Sequence, residues 1–396
     1  MNVFKPCDIL LPQYVPYETW AVIACDQHTS EGDYWQSVEK TVGTFPSTLR
    51  MILPEYYLAP DNTARVRAIN QTMQSYLDSD LFKTLPNAYI YVERTQSNGK
   101  VRRGIVGAVD LEAYDFKKGA KTAIRASEAT VPERIPPRVK IRENAPLESP
   151  HVMLLVDDIE KTVIEPLAKK TDCFTLLYDF DLMLGGGHIK GYLVDGDTKA
   201  DIDRALEEIE KKAPFLFAVG DGNHSLATAK TCYEQRPSEA ARYALCELVN
   251  IHDEALDFEP IYRVLFNADP QAVVNALKEA LPVKDAASIH RVTCCYDDTT
   301  EEITLGSVST LAVTDLQNIL DDYRKAHPEI VIDYIHGKAE TLALSKQENA
   351  VGFLFDGMKK EELFPAVASD GALVRKTFSM GDAADKRYYI ECRRIK

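Results

Sequence analysis

Short apolar blocks separated by polar, glycine-bearing turns set the rhythm of this chain. Between Asn62 and Phe82, the residues Val66, Ile69, Met73, Tyr76 and Leu77 recur at helical spacing, which predicts a long amphipathic helix. Ala88–Arg94 and Arg103–Leu111 instead alternate at period two around Ser97-Asn98-Gly99-Lys100, a hairpin signal. From His151 onward, strand and helix patterns alternate. Val152–Val156, Phe174–Tyr178, Ile189–Val194 and Phe215–Val219 read as strands. Lys161–Lys170, Lys199–Lys212, Ser225–Gln235 and Glu239–Val249 read as helices. A second series starts near Pro260, with strands at Ile261–Phe266, Arg291–Cys295, Ile303–Leu305, Ile330–Ile335 and Val351–Phe355. Its helices fit at Pro270–Ala280, Thr314–Ala326, Lys338–Gln347 and Lys359–Ala368. Residues 1–60 read as irregular structure with short strands, and 120–150 as an ordered loop or lid.

This order of elements predicts an α/β fold of the α+β kind: a domain over 1–259 with a mixed sheet, and a smaller α+β domain over 260–396. Asp257-Phe258-Glu259-Pro260 is the expected break, because proline restricts the residue before it. A length of 396 residues is too great for one ordinary core and agrees with division. The 45% apolar and 27% charged content is that of a soluble globular protein, and no apolar run reaches the length of a membrane span. The opening MNVFKPCDILLP lacks a basic segment followed by an apolar core, so a cytoplasmic location without membrane partners is expected. The net charge of −15 repels polyanions and argues against a nucleic-acid partner. Eight cysteines form no C-x-x-C pair, which predicts reduced, mostly buried thiols and no metal site.

Chemistry concentrates where apolar runs end. Phe215–Val219 runs into Gly220-Asp221-Gly222-Asn223-His224, and a small-residue helix pattern follows from Ser225. A strand, a tight glycine turn and a helix aim backbone N–H groups at an anion. A plain turn with Asn223 or Ser225 capping the helix needs the glycines, but does not need Asp221 and His224 as well. Trp20–Trp35 reads WAVIACDQHTSEGDYW, so a strand over Ala21–Cys25 ends in Asp26, His28 and Thr29. The bland alternative is a turn capping a helix near Tyr34, with Ser30 and Asp33 as a loose capping box. Cys25 closes an apolar run, which favours an inert buried thiol over a nucleophile. Arg125, Glu128, Glu133, Arg134, Arg138 and Arg142 lie in a stretch stiffened by Pro132, Pro136 and Pro137. Arginine forks there suit phosphate or carboxylate. Gly185-Gly186-Gly187 brings in His188 as a second candidate imidazole, and Arg375–Ser379 is a short basic and hydroxyl cluster containing Lys376 and Thr377. His151, His252, His290, His327 and His336 have no readable partner.

Taken in order, Phe4–Pro6, WAVIACDQHTSEGDYW at 20–35, IRASEATVPERIPPRVKIR at 124–142, FAVGDGNHSLATAK at 217–230 and RKTFSMG at 375–381 resemble the bacterial domain-of-unknown-function 1015 family over nearly the whole chain. GDGNH is also similar to the Asp-Gly-His-His-Arg nucleotide loop of the ParB/sulfiredoxin-like superfamily, which includes kinases of free serine and partition proteins that bind CTP. Asp221 and Gly222 match, Asn223 replaces the first histidine and His224 matches the second. Ser225 stands where the arginine is expected, so Lys230, Lys376 or an arginine from 125–142 would have to supply the cation.

The resemblance implies a ParB/sulfiredoxin-like first domain and a nucleotide-dependent phosphotransferase acting on a small hydroxyl-bearing metabolite, free serine first. ATP or ADP with Mg²⁺ is the expected cofactor, with CTP a further candidate. Gly220, Asp221, Gly222, Asn223, His224, Ser225, Arg125, Arg134, Arg138, Lys376 and Thr377 would hold it. Asp26, Glu128 and His224 would carry catalysis, and His28, Thr29 and His188 would meet substrate. The competing expectations are a non-catalytic nucleotide- or ligand-binding regulatory protein and, less well matched to the charge, a partition-type protein.

Overall fold

The computed structural model describes residues 3–130, 134–285 and 288–396. It divides into two compact units, one of residues 1–126, 130–256 and 381–396, the other of 127–129 and 257–380. The chain thus contributes Ser127–Ala129 to the second unit, enters it again at Asp257 and returns to the first at Gly381. Pro132 and Glu133, part of the stiffened basic stretch, lie outside the described residues.

The first unit is built on a ten-stranded mixed sheet. Its main path runs Thr175–Asp181, His188–Leu193, Ile90–Thr95, Val101–Asp110, Tyr243–Asn250, Met153–Val156, Phe217–Asp221, Ile124–Ala126 and Tyr114–Asp115. The Asn-Gly hairpin forms as expected, with Ile90 opposite Val106 and Thr95 opposite Val101. Gly99 takes φ +81° at its tip, where the Lys100 N–H donates to Asn98 Oδ1 at 2.9 Å. The helix expected over 62–82 spans Thr63–Asp78 and buries Ile69 and Met73. The sheet carries an aromatic and aliphatic core that includes Phe4, Tyr89, Tyr91, Tyr114 and Phe217.

Two expected helices do not form over their expected lengths. Lys161–Lys170 contains only the 3₁₀ turn Glu165–Lys169. Glu239–Val249 is a four-residue helix, Glu239–Arg242, followed by the strand Tyr243–Asn250. That strand lies between an antiparallel and a parallel neighbour, and seven of its eight residues are buried. A strand covered on both faces loses its alternation and cannot be told from a buried helix by period.

The second unit has its own six-stranded sheet. Its path is Thr299–Gly306, Ile289–Tyr296, Ala350–Leu354, Phe258–Phe266 and Val331–His336, with Phe378–Met380 pairing the start of Phe258–Phe266. Helices Pro270–Ala280 and Ala312–Ala326 bury Val273, Val274, Leu277, Leu316 and Leu320. All eight cysteines are free. No helix among the described residues is long and apolar enough to cross a membrane.

Candidate functional site

The strand Phe217–Asp221 ends at the glycine turn, and helix Asn223–Gln235 starts directly behind it. Neither Asn223 nor Ser225 caps this helix. The cap is Gly222, in the left-handed region at φ +77°. A Cβ there would come within 3.0 Å of the Val152 Cα and 3.3 Å of the His151 ring. Glycine is therefore required both by backbone sterics and by the close approach of the neighbouring strand.

Antiparallel pairing explains why His151 is present. Met153 opposes Asp221, so the residues just before Met153–Val156 lie against the turn after Phe217–Asp221. His151 is 8% exposed, and its Nε2 lies 2.9 Å from Ser225 Oγ. Its Nδ1 lies 2.9 Å from the Tyr389 hydroxyl. Tyr389 comes from the C-terminal segment through a second short pairing, Tyr388 with Ile23 and Tyr389 with Val22. The Cys25 N–H then donates to the Tyr389 hydroxyl at 3.1 Å. Four stretches, near residues 25, 151, 225 and 389, thereby meet at one point.

They border a cavity of about 170 Å³. Cys25, Glu55, Arg138, His151, Ser225 and Tyr389 provide its polar wall, and Met51, Leu53, Ile141 and Leu226 are among its apolar lining. Asp26 follows Cys25 and is half-buried, accepting from Gln27 Nε2 at 3.0 Å. Burial acts to raise its pKa, but the attraction of His151, the Gln27 hydrogen bond and the charges of Lys386 and Arg138 outweigh this and hold it below the ordinary value. Lys386 also lies 3.6 Å from the Asp221 carboxylate, whose other oxygen accepts the Gly222 N–H at 2.9 Å. Burial, and then the Asp26 charge, push the Cys25 thiol up to about 12, so it is an inert thiol at neutral pH.

The other expected site residues are distributed as follows. Gly220 and Asp221 close the strand, while Asn223 and His224 open the helix, the His224 carbonyl accepting from Thr228 at 2.7 Å. Arg138 reaches the cavity but is paired with Glu55. Arg134 is exposed, and its carbonyl accepts from Arg138 at 2.9 Å. Arg125 turns toward the far end of the strand. Its backbone opposes Ala218, but the side chain donates to the Thr122 and Pro214 carbonyls and lies over the Phe215 ring, at the end of the strand away from the turn. His28 stacks on Tyr34 at 3.6 Å and meets Glu31 at 3.0 Å, and Thr29 is exposed. The following helix begins at Gly32 without a side-chain cap, so Ser30 and Asp33 form no capping box. Lys230 is engaged by Glu234 and the Leu111 carbonyl. His188 sits on the strand five places from Phe217–Asp221, about 24 Å along the sheet, with its two ring nitrogens on Asp179 and Asp181.

Glu128, Lys376 and Thr377 belong to the second unit and meet there. The Glu128 carboxylate accepts the N–H groups of Lys376 at 3.2 Å and Thr377 at 3.0 Å. Burial raises its pKa, with these donors opposing the shift. The fully buried Arg263 holds the carbonyls of Lys376 and Arg375 from the other side, at 2.9 and 3.0 Å. Thr377 gives its hydroxyl proton to the Val374 carbonyl at 2.6 Å, and the Lys376 side chain is exposed. Backbone donors that could have received a phosphate are occupied by a carboxylate of the chain itself.

His151, Lys386 and Tyr389 escaped the sequence reading. Their only signals are polar residues flanking short apolar strands, with partners about 75 to 360 positions away in the chain. Among the described residues there is no group of three or more His, Cys, Asp or Glu poised to hold a metal ion.

The chain belongs to the family described as protein of unknown function (DUF1015), whose model matches residues 10–352. No curated protein matches it. Among solved structures it is similar to a free serine kinase in complex with AMP, at 11% identity and a TM-score of 0.43, covering 75% of this chain and 93% of that one. A conserved hypothetical protein from Pyrococcus furiosus is similar at 13% identity and a TM-score of 0.38, covering 71% and 91%. SbnI from Staphylococcus aureus, truncated at its C-terminus, is similar at 11% identity and a TM-score of 0.38, covering 70% and 82%.

Proposed function

We propose that the protein is a nucleotide-dependent phosphotransferase with a ParB/sulfiredoxin-like nucleotide loop at Gly220–Ser225. A small hydroxyl-bearing metabolite would be the acceptor, free serine being the first candidate. The observation that carries this reading is the strand-to-helix turn with its left-handed Gly222, opening a helix whose first turn borders a cavity and has Lys386 beside it. Such a terminus favours an anion, and phosphoryl transfer requires positioning and positive charge more than covalent groups.

The residues fit a nucleotide with Mg²⁺. Helix N–H groups and Lys386 would hold phosphate oxygens, and Lys386 is the cation that Ser225, in place of an arginine, does not provide. Asp26, held ionised, and Asp221 beside Lys386 would take the metal alongside phosphate oxygens, since Mg²⁺ commonly binds one or two carboxylates plus substrate phosphates. The nucleotide supplies the phosphoryl group. The apolar wall at Met51, Leu53 and Ile141 would keep water from the acceptor. The net charge of −15 supports small-molecule ligands over nucleic acid.

The test is a thermal-shift series with ATP, ADP and CTP, with and without Mg²⁺, followed by turnover assays with serine. A ligand specific to the folded state raises its melting temperature. Lys386→Ala is expected to weaken nucleotide binding about 10- to 100-fold, the loss of one charge-assisted contact, with little change in melting temperature of the free protein. Binding without turnover of any hydroxyl acceptor would favour a regulatory protein. No shift with any nucleotide would remove the reading.

A further inference from the structure

The geometry points to Ser225 as a nucleophile, activated by His151, that accepts a phosphoryl group during turnover. Ser225 Oγ is 2.9 Å from His151 Nε2, within the reach required of a nucleophile and its base. The base is held in turn by a third group, the Tyr389 hydroxyl, 2.9 Å from Nδ1. The Cys25 N–H fixes that hydroxyl from the other side at 3.1 Å. The Tyr389 oxygen accepts the Cys25 N–H and has a second lone pair for His151 Nδ1–H, its own proton being directed to the Cys25 thiol. In that tautomer, which activation of the serine requires, His151 Nε2 is the acceptor for the Ser225 proton.

Three further facts favour a reactive role over a structural one. The serine and histidine both line the cavity, so their hydrogen bond lies at an accessible wall and not in sealed core. Ser225 stands in the first turn of its helix, where the dipole favours negative charge developing on an attacked group. The nearby Asp26 carboxylate interacts with His151 only once the ring is charged, and so would stabilise the imidazolium formed when the proton moves.

In the first half-reaction, the Ser225 proton passes to His151 Nε2 while Oγ bonds to the terminal phosphorus of a nucleoside triphosphate. The bridging P–O bond breaks, and the nucleoside diphosphate leaves with the electron pair. In the second, an acceptor hydroxyl attacks that phosphorus and releases its proton to water. Ser225 Oγ leaves and recovers the proton from His151. The donor named here rests on the nucleotide reading above, whereas the nucleophile itself does not.

The experiment uses the full chain and two probes, Mg-ATP and a fluorophosphonate, which phosphonylates an activated serine without a nucleotide site. Modification is read by peptide mass after acid quench, and the melting temperature with Mg-ATP is measured in parallel. Both probes are expected to modify Ser225, and Ser225→Ala to remove the adduct. His151→Asn should slow modification by about 10²- to 10⁴-fold, the usual worth of a positioned base, with an unchanged melting temperature. Tyr389 is a positioning residue, so Tyr389→Phe should slow modification while leaving the ATP binding midpoint in place. A raised melting temperature with no adduct from either probe overturns the nucleophile and leaves the nucleotide reading standing. Fluorophosphonate labelling of Ser225 with no response to nucleotide supports the nucleophile and removes the nucleotide reading. If neither labelling nor a shift occurs, both fall.

Discussion

At the scale of single residues, Gly222 is the position where fold and site depend on the same atom. Its φ of +77° and the 3.0 Å approach of Val152 leave no room for a Cβ. Gly222→Ala is expected to cost about 1–3 kcal/mol, the range for a non-glycine residue held in a strained conformation, read as a lower urea midpoint. It should also weaken anion binding, because the turn that aims the helix N-terminus must shift. An unchanged midpoint would show that the turn relaxes freely. The importance of this glycine was legible from the sequence, since a strand, two glycines and a helix leave few other arrangements. Its partners were not. His151 reads as a lone histidine before an apolar run, and only the register of Met153 against Asp221 delivers it to Ser225. Conversely, Glu128, Lys376 and Thr377 look like a base and a phosphate clamp in one dimension. In three dimensions they hold one another within the second unit.

Elements with a single environment are legible in the sequence, and those with a mixed one are not. The hairpin around Asn98-Gly99 and helix Pro270–Ala280 carry their own turn or cap chemistry, the latter with Asp269 accepting from Gln271 and Ala272. Tyr243–Asn250 has no local signal that separates it from a helix, because its neighbours on both sides decide its state. The edge hairpin Thr175–Asp181 with His188–Leu193 allows an electrostatic test. His188 directly opposes Asp181, and Lys190 opposes Asp179, so cross-strand pairs of opposite charge line this edge. The hydrogen bond to Asp181, together with Asp179 and against partial desolvation, raises the His188 pKa above its ordinary 6.5. A folded pKa above the unfolded value means that the imidazolium contributes stability fully below pH of about 6.5 and loses it as the pH rises through the folded value. The stability difference between wild type and His188→Gln should therefore be greatest in mild acid and shrink toward alkaline pH. A difference that grows with pH would contradict the pairing.

At the scale of the whole molecule, the last sixteen residues of the first unit, 381–396, act as an internal tie and not as a tail. Arg387 is buried between Glu247 at 2.7 Å and Glu391 at 2.8 Å. Arg393 donates to Glu148 at 2.7 Å, where Arg142 contributes a second contact at 2.5 Å. The Trp20 indole donates to the Ile390 carbonyl at 2.8 Å. Removing one partner of a buried ion pair costs about 3–5 kcal/mol, because the other charge remains buried without full compensation. Deleting 381–396 strips Arg387 from Glu247 and Arg393 from Glu148 together, a loss comparable to the whole stability of a typical domain, about 5–15 kcal/mol. The same deletion removes Lys386 and Tyr389 from the candidate site. Both tryptophans, Trp20 and Trp35, are fully buried in the first unit, so their emission reports on that unit alone. A chain ending at Met380 should show red-shifted tryptophan emission and no cooperative fluorescence transition, while the circular dichroism of the second unit's sheet persists. Arg387→Met, which keeps the chain length and fills the same space without charge, should lower stability by about 3–5 kcal/mol and retain a cooperative transition. Native, blue-shifted emission from the shortened chain would show that the first unit stands without its C-terminal segment, and would refute the tie.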